Sequence, residues 1–490
     1  MCNTNMSRLW RQEVKDSLWH TFTFLDTHYL YDVESGALHR IDQVLSEVAG
    51  AFGVYSVQDI VELLCDRYSP DQITSAYRDI ETMLDAGMLT PLPDEASPSD
   101  QRSQSYGGTA SPDSIGGMLA FRPLKAICLH VSHACNLKCS YCFVSKAWDP
   151  LTGRPQDRVT LMPPEVGMRA VDLMIRESGP VTNLEVDFFG GEPLLNFDTV
   201  VAIVEYAKSA AAAANKSIHF SLTTNAVGLT PEIVHYMDKN EFSVILSLDG
   251  RPETHNHWRR FPDGTGSYDR VVDGINVYLQ HSSFRDYYVR GTYTSANLDF
   301  SEDVRFINQL GIDRISMEPV VSANEGDYGL KQEHLSELRR QYELLVDYYS
   351  ERARLGRPFE FFHFNLGALE GQCSERRLLG CGAGYQYIAA TPSGELYPCH
   401  QFVGNESFVL GDVWSGIKKR EVAEMFRHTS ILEKRNCRSC WARYLCSGGC
   451  HAVSYRSSGD IAGVDDVACE ITRMRLEAAL AAYALSASNE

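Results

Sequence analysis

No run of about 20 apolar residues, the length a membrane-spanning helix requires, occurs in this chain. The start, Met1-Cys2-Asn3-Thr4, lacks the charged-then-apolar pattern of a secretion signal. A cytoplasmic protein with no membrane partner is therefore expected. Basic residues are in short supply: 45 Lys and Arg face 64 Asp and Glu, a formal net charge of −19. A nucleic-acid footprint needs a basic face, so nucleic acid is not an expected partner. The surplus negative charge favours solubility instead. Length and apolar content are ample. With 490 residues and 44% hydrophobic content, the chain can build two or three domains with real cores.

Cysteine is abundant, at 14 residues. In a small secreted chain that number would suggest disulfides. Here the chain is long and carries no secretion signal. Eleven of the 14 fall in two groups, at 135–142 and 373–469. Grouped cysteines in a reducing compartment point to metal or cluster ligation. Cys2, Cys65 and Cys128 have no such spacing, and Cys65 and Cys128 are expected to be packing residues.

Residues 1–93 read as a small module of strands followed by helices. Thr21–Val33 and Ala37–Ile41 alternate as a hairpin turning at Glu34-Ser35-Gly36. Helical patterns follow near Asp42–Phe52, Val57–Tyr68 and Pro70–Ala86. The last carries an apolar stripe of Ile73, Tyr77, Ile80, Met83 and Leu84 after a Ser69-Pro70-Asp71 start. This order suggests a winged-helix-like unit. Residues 94–120 are rich in Pro, Ser, Asp, Gly and Gln and read as a flexible linker.

Over 121–360 strands and helices alternate. Strands are expected at Ala126–Ser132, Leu184–Phe189, Ser217–Thr223, Phe242–Leu248, Tyr287–Thr294 and Arg314–Glu318. Helices are expected at Pro164–Glu177, Asp198–Ala214, Pro231–Lys239, Tyr268–Gln280, Ser301–Leu310 and Gln332–Leu355. Six β-then-α units predict an α/β fold with a parallel sheet, curled as a partial barrel. Chemistry in such folds gathers at the C-terminal ends of the strands. Residues 361–490 read as a smaller cysteine-rich domain organised by metal clusters, closing with a helix near Cys469–Leu485.

The polar motifs fall at those strand ends. Cys135-Asn136-Leu137-Lys138-Cys139-Ser140-Tyr141-Cys142 follows the first strand. Three thiolates on one loop can hold three irons of a cubane and leave the fourth open, whereas an electron-transfer cluster normally takes four cysteines. A zinc knuckle is the rival reading, with His133 as a fourth ligand. The CxxxCxxC spacing, with an aromatic before its last cysteine, resembles the signature of the radical S-adenosylmethionine (SAM) superfamily. That resemblance implies a SAM-binding [4Fe-4S] cluster at Cys135, Cys139 and Cys142, which are then the catalytic cysteines.

Gly190-Gly191-Glu192-Pro193 ends the second strand, and its glycines leave backbone bare for close approach. In the superfamily a segment of this kind contacts the SAM amino group. Thr223-Thr224-Asn225 and Ser247-Leu248-Asp249-Gly250 end the next two strands and resemble segments that face the SAM ribose and carboxylate. Thr224, Asn225 and Ser247 are the residues carried over. Arg290 on the fifth strand could pair the SAM carboxylate, and Glu318 near the end of the sixth is a weaker candidate.

Farther on, Cys381 is followed by Gly394 and Cys399, then Cys437-x2-Cys440-x5-Cys446-x3-Cys450, then Cys469. This resembles the seven-cysteine SPASM pattern of peptide-modifying radical SAM enzymes, and Cys373 makes eight. Eight thiolates suit two four-cysteine cubanes, and a pair of structural zincs is the rival. The resemblance implies one auxiliary cluster on Cys373, Cys381, Cys399 and Cys450, and a second on Cys437, Cys440, Cys446 and Cys469. With the SAM cluster, three [4Fe-4S] clusters are expected.

The stretches Leu184–Pro193, Tyr288–Thr292, Phe362–Phe364 and Tyr397–Gly404 look like the maturases of six-cysteine (SCIFF) peptides. The maturation enzyme of quinohemoprotein amine dehydrogenase is similar in kind. This implies thioether formation, cysteine sulfur to carbon, in a precursor peptide or small protein subunit. It also implies an electron donor such as flavodoxin or ferredoxin, and leader-peptide recognition by the first module through strand addition. Carbon–carbon linkage, epimerisation and formylglycine formation share the same cluster motifs. In the formylglycine-forming relatives an aspartate follows the cysteine matching Cys399; here His400 follows. A non-enzymatic, zinc-binding, peptide-recruiting scaffold is the alternative outside enzymes.

Overall fold

The computed structural model describes residues 18–92, 123–144, 160–321, 328–366 and 374–487. The linker expected at 94–120, and Cys2 and Cys373, lie outside the described residues. Among the described residues no helix is long and apolar enough to cross a membrane.

The chain opens with a three-stranded antiparallel sheet: β1 (Trp19–Phe24), β2 (Thr27–Asp32) and β3 (Leu38–Ile41), in the order β1-β2-β3. The sequence suggested one long strand over Thr21–Val33. Instead the backbone turns back at Leu25 and Asp26, both left-handed, with φ of 47° and 58°. Two such residues make the tight turn that suits paired strands, although Leu is an unusual choice there. Helices α1 (Gln43–Ala51), α2 (Val57–Leu64) and α3 (Pro70–Asp85) follow. Ser56 and Ser69 start the last two with capping boxes, which satisfy N–H groups that a helix start leaves open. Cys65, expected to pack inside, ends α2 in an exposed position because its side chain lies on the solvent side of the helix.

The module's sheet is covered on both faces. Trp19 and Leu30 pack with Val48, Ile60, Ile73 and Ile80 of its own helices. Phe22, Phe24, Tyr29 and Tyr31 belong to the core of the main body. The module is therefore docked, whatever path the intervening segment takes.

The main body is built on an 11-stranded sheet. Its first strands are β4 (Ala126–Ser132), β5 (Asn183–Gly190), β6 (Ser217–Thr224), β7 (Ser243–Ser247), β8 (Tyr287–Tyr293), β9 (Arg314–Pro319) and β10 (Glu360–Phe361). All seven run parallel, each beside the next. Helices α4 (Pro164–Glu177), α5 (Phe197–Ala213), α6 (Pro231–Lys239), α7 (Pro252–Trp258), α8 (Tyr268–His281), α9 (Phe300–Gln309) and α10 (Leu335–Arg354) connect them. Period-2 alternation sets the two faces. Leu184, Val186 and Phe188 of β5 are buried in the core, while Glu185, Asp187 and Phe189 take the opposite, more polar face. In register with them on that face stand Ser221, Ser247, Arg290, Ser316 and Glu318.

The cysteine-rich segment continues the same sheet. β11 (Tyr387–Ala390) pairs in parallel with β4. β12 (Glu395–Tyr397), β13 (Gly411–Asp412) and β14 (Gly416–Ile417) extend the same sheet antiparallel. Short helices α11 (Ser374–Leu379), α12 (Arg420–Arg427), α13 (Arg435–Arg438), α14 (Arg443–Cys446) and α15 (His451–Ser458) follow α10 and weave through these strands. The long α16 (Asp466–Ala487) packs along α10. Strand pairing and helix packing thus organise this segment before any metal is considered.

One buried carboxylate fixes the turn after β2. Asp32, with no exposed surface, accepts hydrogen bonds from the Glu34 and Ser35 amides at 3.1 and 2.9 Å and from the Thr90 hydroxyl at 2.9 Å. Replacing it with alanine orphans these donors. Asp32→Ala should lower the module's stability by about 2–3 kcal/mol, read as an earlier urea transition by circular dichroism. An unchanged midpoint would contradict this role.

Candidate active site and metal centres

The loop 133–142 leaves the C-terminal end of β4 and is tied down on two sides. On one side the Gly191 and Glu192 amides donate to the carbonyls of Ser132 (2.6 Å) and Ala134 (2.9 Å). On the other, the Lys138 and Ser140 amides donate to the carbonyls of Arg260 (2.7 Å) and Trp258 (3.0 Å). Between these anchors Cys135 is exposed and Cys139 and Cys142 are half-buried.

The glycines at 190 and 191 allow neighbouring backbone to approach closely. A Cβ on Gly190 would lie 2.2 Å from the Ser132 carbonyl oxygen, and one on Gly191 would lie 2.4 Å from that of Ala134. The space they leave is filled by the cysteine loop's backbone. Gly190 also has φ +124°, which a side chain would strain. The Glu192 carboxylate turns inward, 1% exposed. It accepts from the Leu194 amide (3.0 Å), the Thr224 hydroxyl (2.7 Å) and the Asn225 amide (2.8 Å). Burial raises its pKa, and these bonds oppose the rise. Pro193 is buried at the start of the next turn. The Asn225 side chain donates to Asn136 (2.7 Å) and faces the Cys135 sulfur at 3.7 Å. Cys135, Gly190, Gly191, Glu192, Thr224 and Asn225 are thus one connected group.

Ser247 and Arg290 stand opposite one another in register on β7 and β8. Arg290 pairs with Glu318 at 3.1 Å. The same carboxylate takes Arg475 of α16 at 3.1 Å and lies 3.5 Å from His363. Burial alone would raise Glu318, but His363 and the two arginines outweigh it and hold it down to about 2.

Sequence reading passed over the residue that braces the loop from behind. Asp249, fully buried, accepts from the Tyr141 hydroxyl (2.6 Å), from Arg259 (2.9 Å) and from the Thr292 amide (3.0 Å). The Arg259 guanidinium lies over the Tyr141 ring at 5.5 Å. The signal was in plain view: an aromatic just before Cys142, and an Asp in the quoted Ser247–Gly250 segment.

The C-terminal thiols fall into two groups by mutual electrostatic influence. Cys399 feels Cys450 and Cys381. Cys469 feels Cys446, Cys437 and Cys440. Burial raises the pKa of Cys135 and Cys437 to about 11 and of Cys139 and Cys469 to about 12, and it also raises Cys381, Cys399 and Cys446. The Lys434 side chain lies between the two groups, 1% exposed, within influence of Cys437, Cys446, Cys450 and Cys469. Its ammonium donates to the Gly448 carbonyl (2.8 Å) and the Ser454 hydroxyl (3.4 Å), both neutral.

Among the described residues no three His, Cys, Asp or Glu side chains converge on a single-ion site. A cubane takes its thiolates at separate corners, so the fit is judged from the surroundings. A buried ammonium calls for a nearby anion, and thiolates bound to a cluster would supply one beside Lys434. Arg259 favours the thiolate of Cys139, and the Asn225 amide favours that of Cys135. These surroundings suit thiolate ligation at Cys135, at Cys139 and at the thiols around Lys434.

The two cysteine regions meet at His400. Its ring lies 5.7 Å from Phe143, which follows Cys142, and 5.1 Å from Phe189. Its Nδ1 is 3.1 Å from the Tyr387 hydroxyl. His400 itself follows Cys399 in the chain. Burial, then Arg290 and Arg456, pull its pKa down to about 4.

The family model for the radical SAM superfamily matches residues 129–294, the span from β4 to the end of β8. This chain contains a radical SAM domain. The radical SAM cyclopropyl synthase TigE of Paramaledivibacter caminithermalis is 23% identical over 365 residues, 72% of this chain and 73% of that one. The cysteine-type anaerobic sulfatase-maturating enzyme of Clostridium novyi is 23% identical over 334 residues, 65% of this chain and 85% of that one. Among solved structures, native anSMEcpe with bound AdoMet and Cp18Cys peptide superposes with a TM-score of 0.61 at 22% identity. That match covers 75% of this chain and 99% of that one. It shows a shared fold, an α/β radical SAM architecture on a mostly parallel sheet.

The brace behind the radical SAM loop can be tested directly. Asp249→Asn leaves the Arg259 cation buried without a counter-charge, at a cost of about 3–5 kcal/mol. In the metal-free protein, Cys139 should then be alkylated faster than in wild type, measured by mass spectrometry of tryptic peptides. An unchanged rate would separate Asp249 from the loop.

Proposed function

We propose that this protein is a radical SAM enzyme acting on a peptide, and that it installs thioether links, cysteine sulfur to carbon. The substrate would be a ribosomally made precursor peptide or a small protein subunit. The observation that carries this reading is the meeting at His400. Phe143, next to Cys142, and His400, next to Cys399, lie ring to ring at 5.7 Å, so the three-thiol loop and the second cysteine region are neighbours.

In this reading Cys135, Cys139 and Cys142 would hold a [4Fe-4S] cluster at which SAM would bind. By the resemblance, the Gly190–Pro193 backbone, Thr224, Asn225, Ser247 and Arg290 would contact SAM. Cys373, Cys381, Cys399 and Cys450 would hold one auxiliary cluster, and Cys437, Cys440, Cys446 and Cys469 the other. When bound, the reduced cluster and SAM supply a radical that removes hydrogen from carbon. The chain's own residues orient and shield. Asp249 and Arg259 hold the loop, and the charged side chains on the sheet's polar face position the substrate. The segment after β10 reaches that face through Arg475, which pairs with Glu318. The edge strand β3 is suited to take a leader peptide as an added strand. A flavodoxin or ferredoxin would deliver electrons, in the cytoplasm.

Joining a cysteine S–H to a C–H removes two hydrogens from the peptide, one as a hydrogen atom that the SAM-derived radical would take and one as a proton, with an electron that an auxiliary cluster would accept. Replacing Cys135, Cys139 and Cys142 together with alanine should abolish SAM cleavage while iron at the other thiols remains. Continued cleavage would refute the site assignment. With a cognate peptide, mass spectrometry should show a loss of two hydrogens and one fewer alkylatable thiol per link. The same mass loss with every thiol still free would mean carbon–carbon closure. A retained mass with inverted stereochemistry would mean epimerisation, and a cysteine or serine turned to formylglycine would overturn the thioether reading.

A further inference from the structure

The seven-residue loop Cys440–Cys446 supplies two of the four thiols in the second group, and its centre is built against the N-terminal module. Trp441 stacks flat on His20 of β1, with ring centroids 3.9 Å apart and 4° between planes. Arg443, 2% exposed, reaches back to the Cys440 carbonyl at 3.1 Å and forward to the Glu34 carboxylate, with which it is ion-paired. Tyr444 donates to the same carboxylate at 3.4 Å. Glu34 sits at the tip of the turn that Asp32 fixes. The helix carrying the fourth thiol is held too: α16 bears Cys469 in its first turn and Glu477 farther along, and Glu477 bonds His20 at 2.8 Å. Both segments that bring Cys440, Cys446 and Cys469 together therefore touch the module through buried polar contacts. A buried guanidinium needs its counter-charge, and here that charge comes from more than 400 residues away in the chain.

We propose that the N-terminal module is a wall of the second metal centre, with His20 and Glu34 as positioning residues for the loop Cys440–Cys446. This rests on the reading that Cys437, Cys440, Cys446 and Cys469 hold a cluster. Contacts just outside the ligands set their orientation and the polarity around the metal. The turn bearing Glu34 leads directly into β3, so the strand proposed to receive a leader peptide shares a hairpin with this contact.

The test uses the full chain with Glu34→Gln and His20→Ala, and with Asp79→Asn on the exposed face of α3 as control. In metal-free protein, alkylation by iodoacetamide is timed at each cysteine. Both variants should react about tenfold faster at Cys440 and Cys446, because a loop that has lost a packing contact opens more often. Cys135, Cys139 and Cys142 should keep wild-type rates, and Asp79→Asn should match wild type throughout. In iron-loaded, reduced protein lacking Cys135, Cys139 and Cys142, the remaining paramagnetic resonance signal should shift in Glu34→Gln. Unchanged rates at Cys440 and Cys446, a uniform rise at every cysteine, or an unshifted signal would each overturn the proposal. Iron content separates the two readings. A protein lacking Cys135, Cys139 and Cys142 that holds no iron removes the metal centre itself. One that holds iron but fails the thiol test removes only the module's part in it.

Discussion

Two lengths of backbone lie against each other at the ends of β4 and β5 with no side chain between them, and the site is assembled around that contact. The Gly191 amide reaches the Ser132 carbonyl at 2.6 Å, a distance that any Cβ in the gap would prevent. This approach carries the cysteine loop across the sheet end. It also turns the Glu192 carboxylate inward, where it gathers the end of β6 through Thr224 and Asn225. Asn225 then returns to Asn136 in the cysteine loop. The result is a circuit of hydrogen bonds that anchors the start of the cysteine loop and reaches the Cys135 sulfur through Asn225.

Around that circuit the protein spends buried charge carefully. Asp249 is paired with Arg259, Asp303 with Arg251, and Glu318 with two arginines. Each pair ties a strand end to a neighbouring element, and each would be costly to break by removing one partner. The segment after β10 supplies Arg475 to this scheme and adds four strands to the sheet. The N-terminal module supplies Glu34. Three stretches far apart in sequence are thereby joined through polar contacts that tolerate little displacement.

Much of the main body was legible in the sequence. The apolar runs at Ala126–Ser132 and Pro164–Glu177 mark their elements to the residue, because turn signals or a proline bound them. The cysteine loop and the glycine pair were visible as motifs. What was not visible depends on long-range geometry. Nothing in the spacing of Tyr387–Ala390 says that it will pair with a strand about 260 residues earlier. The Leu25-Asp26 turn carries neither glycine nor asparagine, so the first hairpin was read as one strand. That the glycines admit neighbouring backbone, and that Glu192 faces inward, could not be read from the motif. Those outcomes follow from which group approaches, which only the folded chain decides.

The account stands on a cluster whose three protein thiolates leave one iron for SAM. Iron-loaded, reduced protein examined by electron paramagnetic resonance with and without SAM tests this most directly. The account predicts that SAM changes one signal and leaves the others as they were. Spectra that are identical with and without SAM, in protein carrying its full complement of iron, would contradict it.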